Sequence, residues 1–341
     1  MAKYTGWGGL PSIFSSQSGY NKDRSALFNY LKDGEYDQLK RSVLTAFYTP
    51  PTLSRAIWSA IERFGFQEGT VLDPSTGTGQ FIGSTPQHIS QYSSFVGREI
   101  EPVSADIARL LYGTERIHQE PFEKSKLPDN YFDISISNIP FGDIQIFDPD
   151  YKKYNFKIHD YFFAKALDKT KPGGIVAFIT STGTLDKRDP SVRQHLYKSA
   201  DLIGAIRLPR KTFKEYAGTD VSADIIFLQK RALNTAPGNG SWVWSIEQEF
   251  PILGRDEYAD LPLNRYFIDN PNMIVGKTVA VYGRHGTELV TAYNGKQPIA
   301  DEVYDRIKNL PSNIFMYHQS TESSEKNEAS IPESKLSLIH I

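Results

Sequence analysis

The fold of this 341-residue chain is decided by the stretch Val71-Leu72-Asp73-Pro74-Ser75-Thr76-Gly77-Thr78-Gly79-Gln80-Phe81. A short apolar run leads into a turn that contains two glycines, so Thr70–Asp73 is predicted to be a buried strand. Gly77 and Gly79 have no side chain, which lets the backbone approach a ligand closely or adopt a positive φ. A strand followed by such a turn is typical of the first loop of a doubly wound sheet, where nucleotides bind.

Strands and helices are predicted to alternate around this stretch, from about residue 46 to residue 231. Apolar residues recur at helical spacing in Thr52–Phe64, Val103–Tyr112 and His159–Lys169. The other predicted strands are Phe95–Ile100, Phe132–Ser137, Ile175–Thr180, Leu202–Ile206 and Ile225–Gln229. These strands are short and apolar, and Pro172-Gly173-Gly174 is predicted to end the helix His159–Lys169 before the strand Ile175–Thr180. The pattern predicts an α/β fold with a doubly wound, mainly parallel sheet that is covered on both faces.

The rest of the chain divides by composition. Residues 1–45 are predicted to be an irregular lead-in, because three glycines and a proline lie close together in Tyr4–Pro11. Residues 46–231 are the predicted α/β domain, and residues 232–310 are predicted to be a small C-terminal α+β extension. Residues 311–341 are rich in Ser, Glu and Lys and are predicted to be disordered. Ser337–Ile341 looks like a translated sequencing-adapter tail, so the native chain is expected to continue beyond it.

Composition excludes several classes of protein. The chain has no cysteine, which excludes disulfides, thiol chemistry and the usual structural zinc sites, and which fits a cytoplasmic location. Met1–Gly9 has no apolar core of a signal peptide, and the longest apolar runs, such as Ile175–Ile179, are far too short to span a bilayer. The net charge is −2, so binding to nucleic acid would depend on a local basic patch.

Two carboxylates fall at the tips of successive predicted strands. Asp73 ends the first strand, where an acid can hold the ammonium group of a ligand. Glu99 ends the second strand within Arg98-Glu99-Ile100-Glu101, where a carboxylate can accept two hydrogen bonds from a ribose diol. Ile100 is placed to pack on an adenine face. Together these positions predict a nucleotide-like ligand at one edge of the sheet.

The segment most informative about chemistry is Phe132-Asp133-Ile134-Ser135-Ile136-Ser137-Asn138-Ile139-Pro140-Phe141-Gly142. The amine of a nucleic-acid base is a poor nucleophile, because its lone pair is delocalised into the ring. An Asn side-chain oxygen and a backbone carbonyl can both accept hydrogen bonds from that amine and favour the tetrahedral geometry that frees the lone pair. Pro140 stiffens the turn, and Phe141 offers a face on which an extruded base can stack. This chemistry requires no metal and no strong base.

Asn138-Ile139-Pro140-Phe141 resembles the Asn-Pro-Pro-aromatic motif of amino-methyltransferases. The chain departs from the motif at Ile139, a position that in the family acts through its backbone carbonyl, so the change is tolerable. The resemblance implies a seven-stranded, Rossmann-like sheet of the class I methyltransferases and S-adenosylmethionine as methyl donor. It makes Asn138, Ile139, Pro140 and Phe141 the predicted catalytic residues.

The predicted cofactor site also follows from this resemblance. Asp73–Phe81 is similar to the cofactor loop of the family, and Phe47-Tyr48-Thr49-Pro50-Pro51 is similar to the segment that touches the methionine carboxylate. Phe122 matches a residue beside the cofactor's adenine, whereas Pro121 stands where the family has an acid and Glu120 lies one position early. The predicted cofactor-binding residues are Tyr48, Thr49, Asp73, Ser75, Gly77, Gly79, Phe81, Glu99, Ile100 and Phe122.

The order of these segments resembles that of the gamma-type N6-adenine DNA methyltransferases, in which a target-recognition region follows. Further segments resemble the methyltransferase part of large mobile-element proteins that join an adenine methylase to a helicase, and also antirestriction proteins. They are Tyr4–Phe14, Phe141-Gly142, Ile158–Phe162, Ala205–Pro209 and Gly218–Val221. The resemblance implies methylation of adenine N6 in DNA, with a fused or associated helicase as partner and with residues 232–310 contacting DNA.

Two basic groups are predicted to contact DNA. Lys152, Lys153 and Lys157 interleave with aromatic residues just after the Asn-containing motif, and such a mixture can bind phosphates and stack on bases. Arg210 and Lys211 follow a predicted strand.

Other functions stay open at this point. The same motif serves amines of RNA, cytosine N4 and a protein glutamine amide, although Asn rather than Ser at Asn138 favours adenine over cytosine. A protein of another class, a DNA-binding module that no longer methylates, would also keep the fold, but the intact Asp73, Glu99 and Asn138 argue against it.

Overall fold

The computed structural model describes residues 11–14, 19–31, 36, 40, 48–140, 142, 144–213, 221–283 and 286–317. The strands of its central sheet are β1 (Thr70–Asp73), β2 (Ser94–Glu99), β3 (Ile117–Gln119), β4 (Phe132–Asn138), β5 (Thr170–Ser181), β6 (Ala200–Leu208) and β7 (Ala223–Lys230). They lie in the order β3-β2-β1-β4-β5-β7-β6. Strand β7 is antiparallel to both of its neighbours, and the other adjacent pairs are parallel. The predicted doubly wound, mainly parallel, seven-stranded α/β sheet is confirmed.

The path of the chain creates a crevice at one edge of the sheet. From β1 the chain moves outward to β2 and β3, and it then returns to the other side of β1 to form β4. The connections diverge between β1 and β4, which is where open α/β sheets bind their ligands. Asp73, Glu99 and Asn138 end three of these strands, and all three lie at this carboxyl edge.

Helices cover both faces of the sheet. The helices of the described residues are α1 (Asn21–Tyr30), α2 (Pro51–Arg63), α3 (Gln80–Gly83), α4 (Gln87–Ser90), α5 (Pro102–Tyr112), α6 (Ile158–Lys169), α7 (Gly183–Asp186), α8 (Ser191–Tyr197), α9 (Arg265–Asp269) and α10 (Ile299–Ile307). Helix α2 begins with Pro51, whose fixed φ suits the first helical position. Helix α5 begins after Glu101, whose carboxylate accepts hydrogen bonds from two backbone amides of the first turn. Among the described residues, no helix is both long enough and apolar enough to cross a membrane.

The hydrophobic core fixes the glycine turn in place. Every residue of β4 is buried, which is expected of a strand covered on both faces. Trp58 of α2 is fully buried, and its Nε1 donates a 2.8 Å hydrogen bond to the carbonyl oxygen of Phe81. This bond holds α2 against the helix that begins directly after the turn.

Two strand predictions differ from the structure. Strand β5 begins at Thr170 rather than at Ile175, so it includes the Pro172-Gly173-Gly174 segment. Helix α6 ends at Lys169, before this segment, and the strand pairing shifts here, because Phe132 pairs with Thr170 while Ile134 already pairs with Ile175. Strand β3 was not predicted, since a strand of three residues is too short to show a period.

Between residues 232 and 310, the described part of the chain forms two antiparallel strand pairs and two α-helices. The pairs join β8 (Ser245–Pro251) to β9 (Tyr258–Asn264) and β10 (Lys277–Gly283) to β11 (Gly286–Ala292). Helix α10 contributes Val303 and Ile307 to the same buried cluster that holds α2 and the sheet. The α+β content is as expected for this region, and its boundary at residue 232 stays a prediction.

The ends of the chain are described in part. Residues 311–317, predicted as the start of the disordered tail, pack against the domain instead. The Phe315 amide donates to the carbonyl oxygen of Phe64, and the Phe315 ring lies 5.2 Å from that of Phe66. The apolar run Ile314-Phe315-Met316-Tyr317 explains this difference, because Ile314 and Phe315 pack against the buried core. Residues 318–341, including Ser337–Ile341, and most of the predicted lead-in over residues 1–45 lie outside the described residues.

Candidate cofactor and methyl-acceptor site

A pocket of about 390 Å³ opens at the carboxyl edge of the sheet, between the ends of β2, β1 and β4. Its volume lies in the range of small-molecule sites, about 300–1,000 Å³. The pocket brings together ten of the residues predicted from the sequence: Tyr48, Thr49, Ser75, Gly77, Phe81, Glu99, Ile100, Phe122, Asn138 and Pro140. Most of the predicted cofactor residues therefore share one cavity with Asn138, whereas Asp73 and Gly79 do not line it.

Asp73 lies beneath the glycine turn rather than on the pocket lining, and it is 2% exposed. Its Oδ1 accepts hydrogen bonds from the Ser137 hydroxyl at 2.6 Å and from the Ser75 amide at 3.3 Å. Its Oδ2 is buried and accepts no hydrogen bond from the described part of the chain. Burial raises the pKa of Asp73 to about 7, against the lowering effect of these two hydrogen bonds. The unbonded, buried Oδ2 of Asp73 is therefore well suited to accept a hydrogen bond from a cationic group.

Glu99 joins the second strand to the glycine turn. Its Oε2 accepts from the Gly77 amide at 2.7 Å, and its Oε1 accepts from the Glu101 amide at 2.7 Å. Burial raises the pKa of Glu99 to about 7. Each carboxylate oxygen can accept more than one hydrogen bond, so Glu99 keeps acceptor capacity for a diol.

The two glycines of the turn have different roles. Gly77 has a φ of +55°, and a Cβ there would lie 3.6 Å from the Tyr48 ring, an ordinary contact. Gly79 has a φ of +85°, and a Cβ there would lie 2.2 Å from the Tyr112 ring. Gly79 does not line the pocket, so its lack of a side chain serves packing against α5 and the left-handed turn.

Tyr48 is fixed beside the turn by a residue that sequence reasoning missed. The Tyr48 hydroxyl and the Ser104 Oγ share a 2.6 Å hydrogen bond, and Ser104 is buried on α5. The two residues are far apart in sequence, so no local pattern signals their contact.

The far end of the pocket combines apolar and charged side chains. Ile100 is 62% exposed at the pocket mouth, whereas Phe122 is buried. Glu120 also lines the pocket, and its Oε1 lies 2.8 Å from the Nε of Arg98. Sequence reasoning missed Arg98 as a lining residue. It also gave no role to Ile144, Ile146, Ile158 or Phe162, which complete the apolar wall.

Asn138, Ile139 and Pro140 of the predicted catalytic motif lie at the end of β4. Asn138 is buried and lines the pocket together with Pro140. The Ile139 side chain is fully buried, and its amide donates to the Ile179 carbonyl oxygen at 3.2 Å, which continues the strand pairing. Phe141 lies outside the described residues. Asn138 thus faces the same cavity as Gly77.

Both predicted basic groups leave the sheet at the carboxyl edge. Lys152, Lys153 and Lys157 are exposed on the loop that follows β4. Arg210 and exposed Lys211 follow the end of β6, whose direction matches that of β4. The Arg210 amide donates to the Thr291 carbonyl oxygen at 2.8 Å, so this segment also contacts β11.

The pocket fits S-adenosylmethionine, the cofactor that the sequence resemblance implies. Glu99 lines the pocket and has acceptor capacity that suits a ribose diol, and the buried Asp73 lies directly beneath the turn with its Oδ2 unbonded among the described residues. Phe122, Ile158 and Phe162 form an apolar wall suited to a purine.

Comparisons with known proteins agree with this assignment. The model of the N-6 DNA methylase family matches residues 34–255, which is most of the chain. Defense against restriction protein B of Escherichia phage P1 is 30% identical over 236 residues, which are 67% of this chain but 10% of that protein. The chain therefore spans about a tenth of this relative.

Solved methyltransferase structures are also similar. The methyltransferase subunit of the type I restriction-modification system from Streptococcus thermophilus is 16% identical with a TM-score of 0.48, over 82% of this chain and 62% of that one. The M protein of the type I restriction enzyme EcoKI is 14% identical with a TM-score of 0.46, over 77% of this chain and 70% of that one. By its family match, the chain belongs to the N-6 DNA methylase family of S-adenosylmethionine-dependent methyltransferases.

Proposed function

We propose that the protein transfers a methyl group from S-adenosylmethionine to the exocyclic N6 amine of adenine in DNA, with the target base extruded from the duplex. The observation that carries the proposal is the shared pocket, which places Asn138 and the Gly77 turn on one cavity wall. A base inside a duplex cannot reach such a cavity, and extrusion is the route by which enzymes act on single bases.

Asn138 and Ile139 are the proposed acceptors for the adenine amine. The Asn138 side-chain oxygen and the Ile139 carbonyl oxygen would each accept a hydrogen bond from one N–H of the amine, which localises the nitrogen lone pair and offsets the charge that develops on it. Pro140 sets the turn that orients them, and Phe141 is proposed to stack on the extruded base. S-adenosylmethionine supplies an electrophilic methyl group on a sulfonium.

The cofactor-binding roles follow the chemistry of each part of the pocket. Asp73 is proposed to pair with the ammonium group, Glu99 with the ribose diol, and Ile100 and Phe122 with the adenine faces. Tyr48 and Thr49 are proposed to contact the methionine end. The remaining backbone contacts come from the turn, at Ser75, Gly77 and Phe81, while Gly79 acts through the shape of the turn.

The carboxyl edge of the sheet is the proposed DNA-binding face. Lys152, Lys153 and Lys157 extend from the loop beside the pocket, and Arg210 and Lys211 extend from the end of β6. Basic side chains of this kind bind phosphates and make the affinity fall with added salt. We also propose a helicase, fused or associated, as a partner on the basis of the sequence resemblance.

A labelled-methyl transfer assay tests the function. The protein is incubated with labelled S-adenosylmethionine and with DNA, RNA or protein, and labelled DNA is then digested to identify the modified base. We expect label in N6-methyladenine, and we expect Asn138→Ala to lower the rate by roughly 100-fold or more while still binding the cofactor. Asn29 is exposed on α1, and Asn29→Ala provides the control variant. Label in RNA, in protein or at cytosine N4 would show that the substrate is not adenine in DNA. Cofactor binding without methyl transfer would indicate a binding module.

A further inference from the structure

The loop between β4 and α6 is closed at its base and forms part of the pocket wall. The Ile158 amide donates to the Ile144 carbonyl oxygen at 2.8 Å, and Gln145 and Lys157 form an antiparallel bridge. The middle of the loop packs along the domain surface, because the Tyr151 hydroxyl donates to Asp168 near the end of α6 and the Tyr154 ring lies 4.4 Å from that of His195 on α8. We refer to residues 144–157 as the β4–α6 loop.

Phe147 is held at the surface of this loop by anchored residues on both sides. Ile146 lines the pocket, and Asp148 is 5% exposed. The Asp148 Oδ2 accepts from the Tyr161 hydroxyl at 2.6 Å and from the Lys165 Nζ at 3.1 Å. The backbone on each side of Phe147 is therefore fixed by the α6 helix and by the pocket wall.

The Phe147 ring is nevertheless 72% exposed. The Lys152 Nζ lies 6.0 Å from the ring centroid, so an apolar face and a cation stand together. An aromatic ring that is held in water beside a cation and one residue from a ligand pocket has the composition of a nucleic-acid contact.

We propose that Phe147 contacts DNA at the target site by stacking on the bases left in the duplex when the adenine is extruded, with Lys152 on the adjoining phosphate. This proposal rests on the proposed function, because it concerns the duplex from which the base is taken. Stacking in the opened duplex stabilises only the extruded state. Phe147 therefore acts on the step that opens the base pair rather than on cofactor binding.

The test compares two DNA substrates and three variants. One duplex carries the target adenine in its normal pair, and the other carries it opposite a mismatched base, which lowers the cost of extrusion. Phe147→Ala removes the ring, and Phe147→Trp keeps an aromatic face. Tyr92 is 69% exposed and precedes β2 at the opposite edge of the sheet, so Tyr92→Ala is the matched control.

We expect Phe147→Ala to lower kcat/KM on the paired duplex by roughly 10- to 100-fold, the range that loss of one base–aromatic stack implies. The loss on the mismatched duplex should be several-fold smaller, and Phe147→Trp should stay close to the wild type. Cofactor affinity and melting temperature should be unchanged in all three variants.

Two results would overturn the proposal. The first is a Phe147→Ala variant as active as wild type or as Tyr92→Ala on the paired duplex, and the second is an equal loss on both duplexes. A wild-type protein that methylates no DNA would refute the proposed function itself, and the role of Phe147 would fall with it.

Discussion

The Ser137 hydroxyl donates a 2.6 Å hydrogen bond to the Asp73 Oδ1 and so joins the end of β4 to the end of β1. Ser137 directly precedes Asn138, and Asp73 directly precedes the glycine turn. The bond leaves the other Asp73 oxygen buried. This side-chain contact adds to the pairing of the two strands and links Asn138, proposed to bind the target amine, to Asp73, proposed to bind the ammonium group.

We expect Asp73→Asn to stabilise the cofactor-free protein and to weaken cofactor binding strongly. The folded-state pKa of Asp73 is about 7 and lies above the ordinary value of 3.8, so the folded protein holds more protons between these pH values. This carboxyl therefore makes the cofactor-free protein less stable as the pH rises from about 4 to 7. The neutral amide keeps an acceptor for Ser137 and removes the buried charge, so the unfolding free energy at pH 8 should rise by about 1–3 kcal/mol.

Denaturant unfolding at pH 8 and calorimetric titration with S-adenosylmethionine measure the two effects of Asp73→Asn. Asp129 is exposed at the opposite edge of the sheet, and Asp129→Asn provides the control that should change neither quantity by much. A variant that is less stable at pH 8 and still binds the cofactor normally would contradict the role of Asp73.

Cofactor affinity should fall as the pH is lowered through 7. Burial raises the pKa of Asp73 and of Glu99 to about 7, so below that pH both carboxyls are protonated in the cofactor-free protein. An ammonium group pairs with the ionised form of Asp73, and binding below pH 7 must therefore release a proton. The dissociation constant should increase by about tenfold per pH unit between pH 6.5 and 5.5.

Titration calorimetry in buffers of different ionisation enthalpy detects this proton release directly. In Asp73→Asn, whatever binding remains should lose most of its pH dependence. A dissociation constant that is constant from pH 8 to pH 5.5 in the wild type would show that Asp73 does not pair with a cationic group of the cofactor.

Tyr48 and Ser104 should act as a unit in cofactor binding. Their shared 2.6 Å hydrogen bond holds the Tyr48 ring beside Gly77. Removal of one hydrogen bond typically costs about 0.5–1.5 kcal/mol, so Tyr48→Phe and Ser104→Ala should each weaken cofactor binding by about 3- to 10-fold. The double variant should bind no more weakly than the weaker single variant, because both changes break the same contact.

A double-mutant cycle on the dissociation constant of S-adenosylmethionine measures this coupling. Ser135 is equally buried but bonds to Thr170 on the neighbouring strand, and Ser135→Ala tests for a merely structural effect. Additive losses in Tyr48→Phe and Ser104→Ala would mean that the hydrogen bond does not position Tyr48.

Much of the fold and the centre of the site were predictable because the informative residues lie at the ends of strands. Asp73, Glu99 and Asn138 each follow a short apolar run, and parallel strands bring their carboxyl ends to one edge. The glycine turn marks the first of these ends. Local sequence therefore specified both the edge and the chemistry that it carries.

The rest of the site depends on contacts between distant segments, which no local pattern encodes. Arg98 lines the pocket because Glu120, beyond β3, holds its guanidinium, and β3 itself has three residues. Ser104 meets Tyr48 only after α5 packs against the turn. Gly79 looked like a ligand-binding glycine, whereas its neighbour in the fold is Tyr112.

This difference between the two glycines gives a final prediction. Gly77→Ala places a methyl group in ordinary contact with Tyr48 on the pocket lining. Its destabilisation, about 1–2 kcal/mol, therefore comes mainly from the left-handed backbone conformation. Gly79→Ala is destabilised to a similar extent by its backbone conformation, and its Cβ also overlaps the Tyr112 ring at 2.2 Å. Gly79→Ala should therefore be the less stable variant by about 1–3 kcal/mol, a typical cost of overpacking, in denaturant unfolding without cofactor.

For cofactor affinity the order should be reversed, with Gly77→Ala affected more than Gly79→Ala. Gly77→Ala inserts its methyl group into the pocket wall and should weaken binding more strongly than Gly79→Ala does in the fraction that folds. The variant that combines Gly79→Ala with Tyr112→Ala should recover part of the lost stability, because the overlap is relieved while the backbone strain remains. Equal destabilisation by both single variants, with no recovery in the combined one, would mean that backbone conformation alone accounts for the two glycines and that Tyr112 has no part in selecting Gly79.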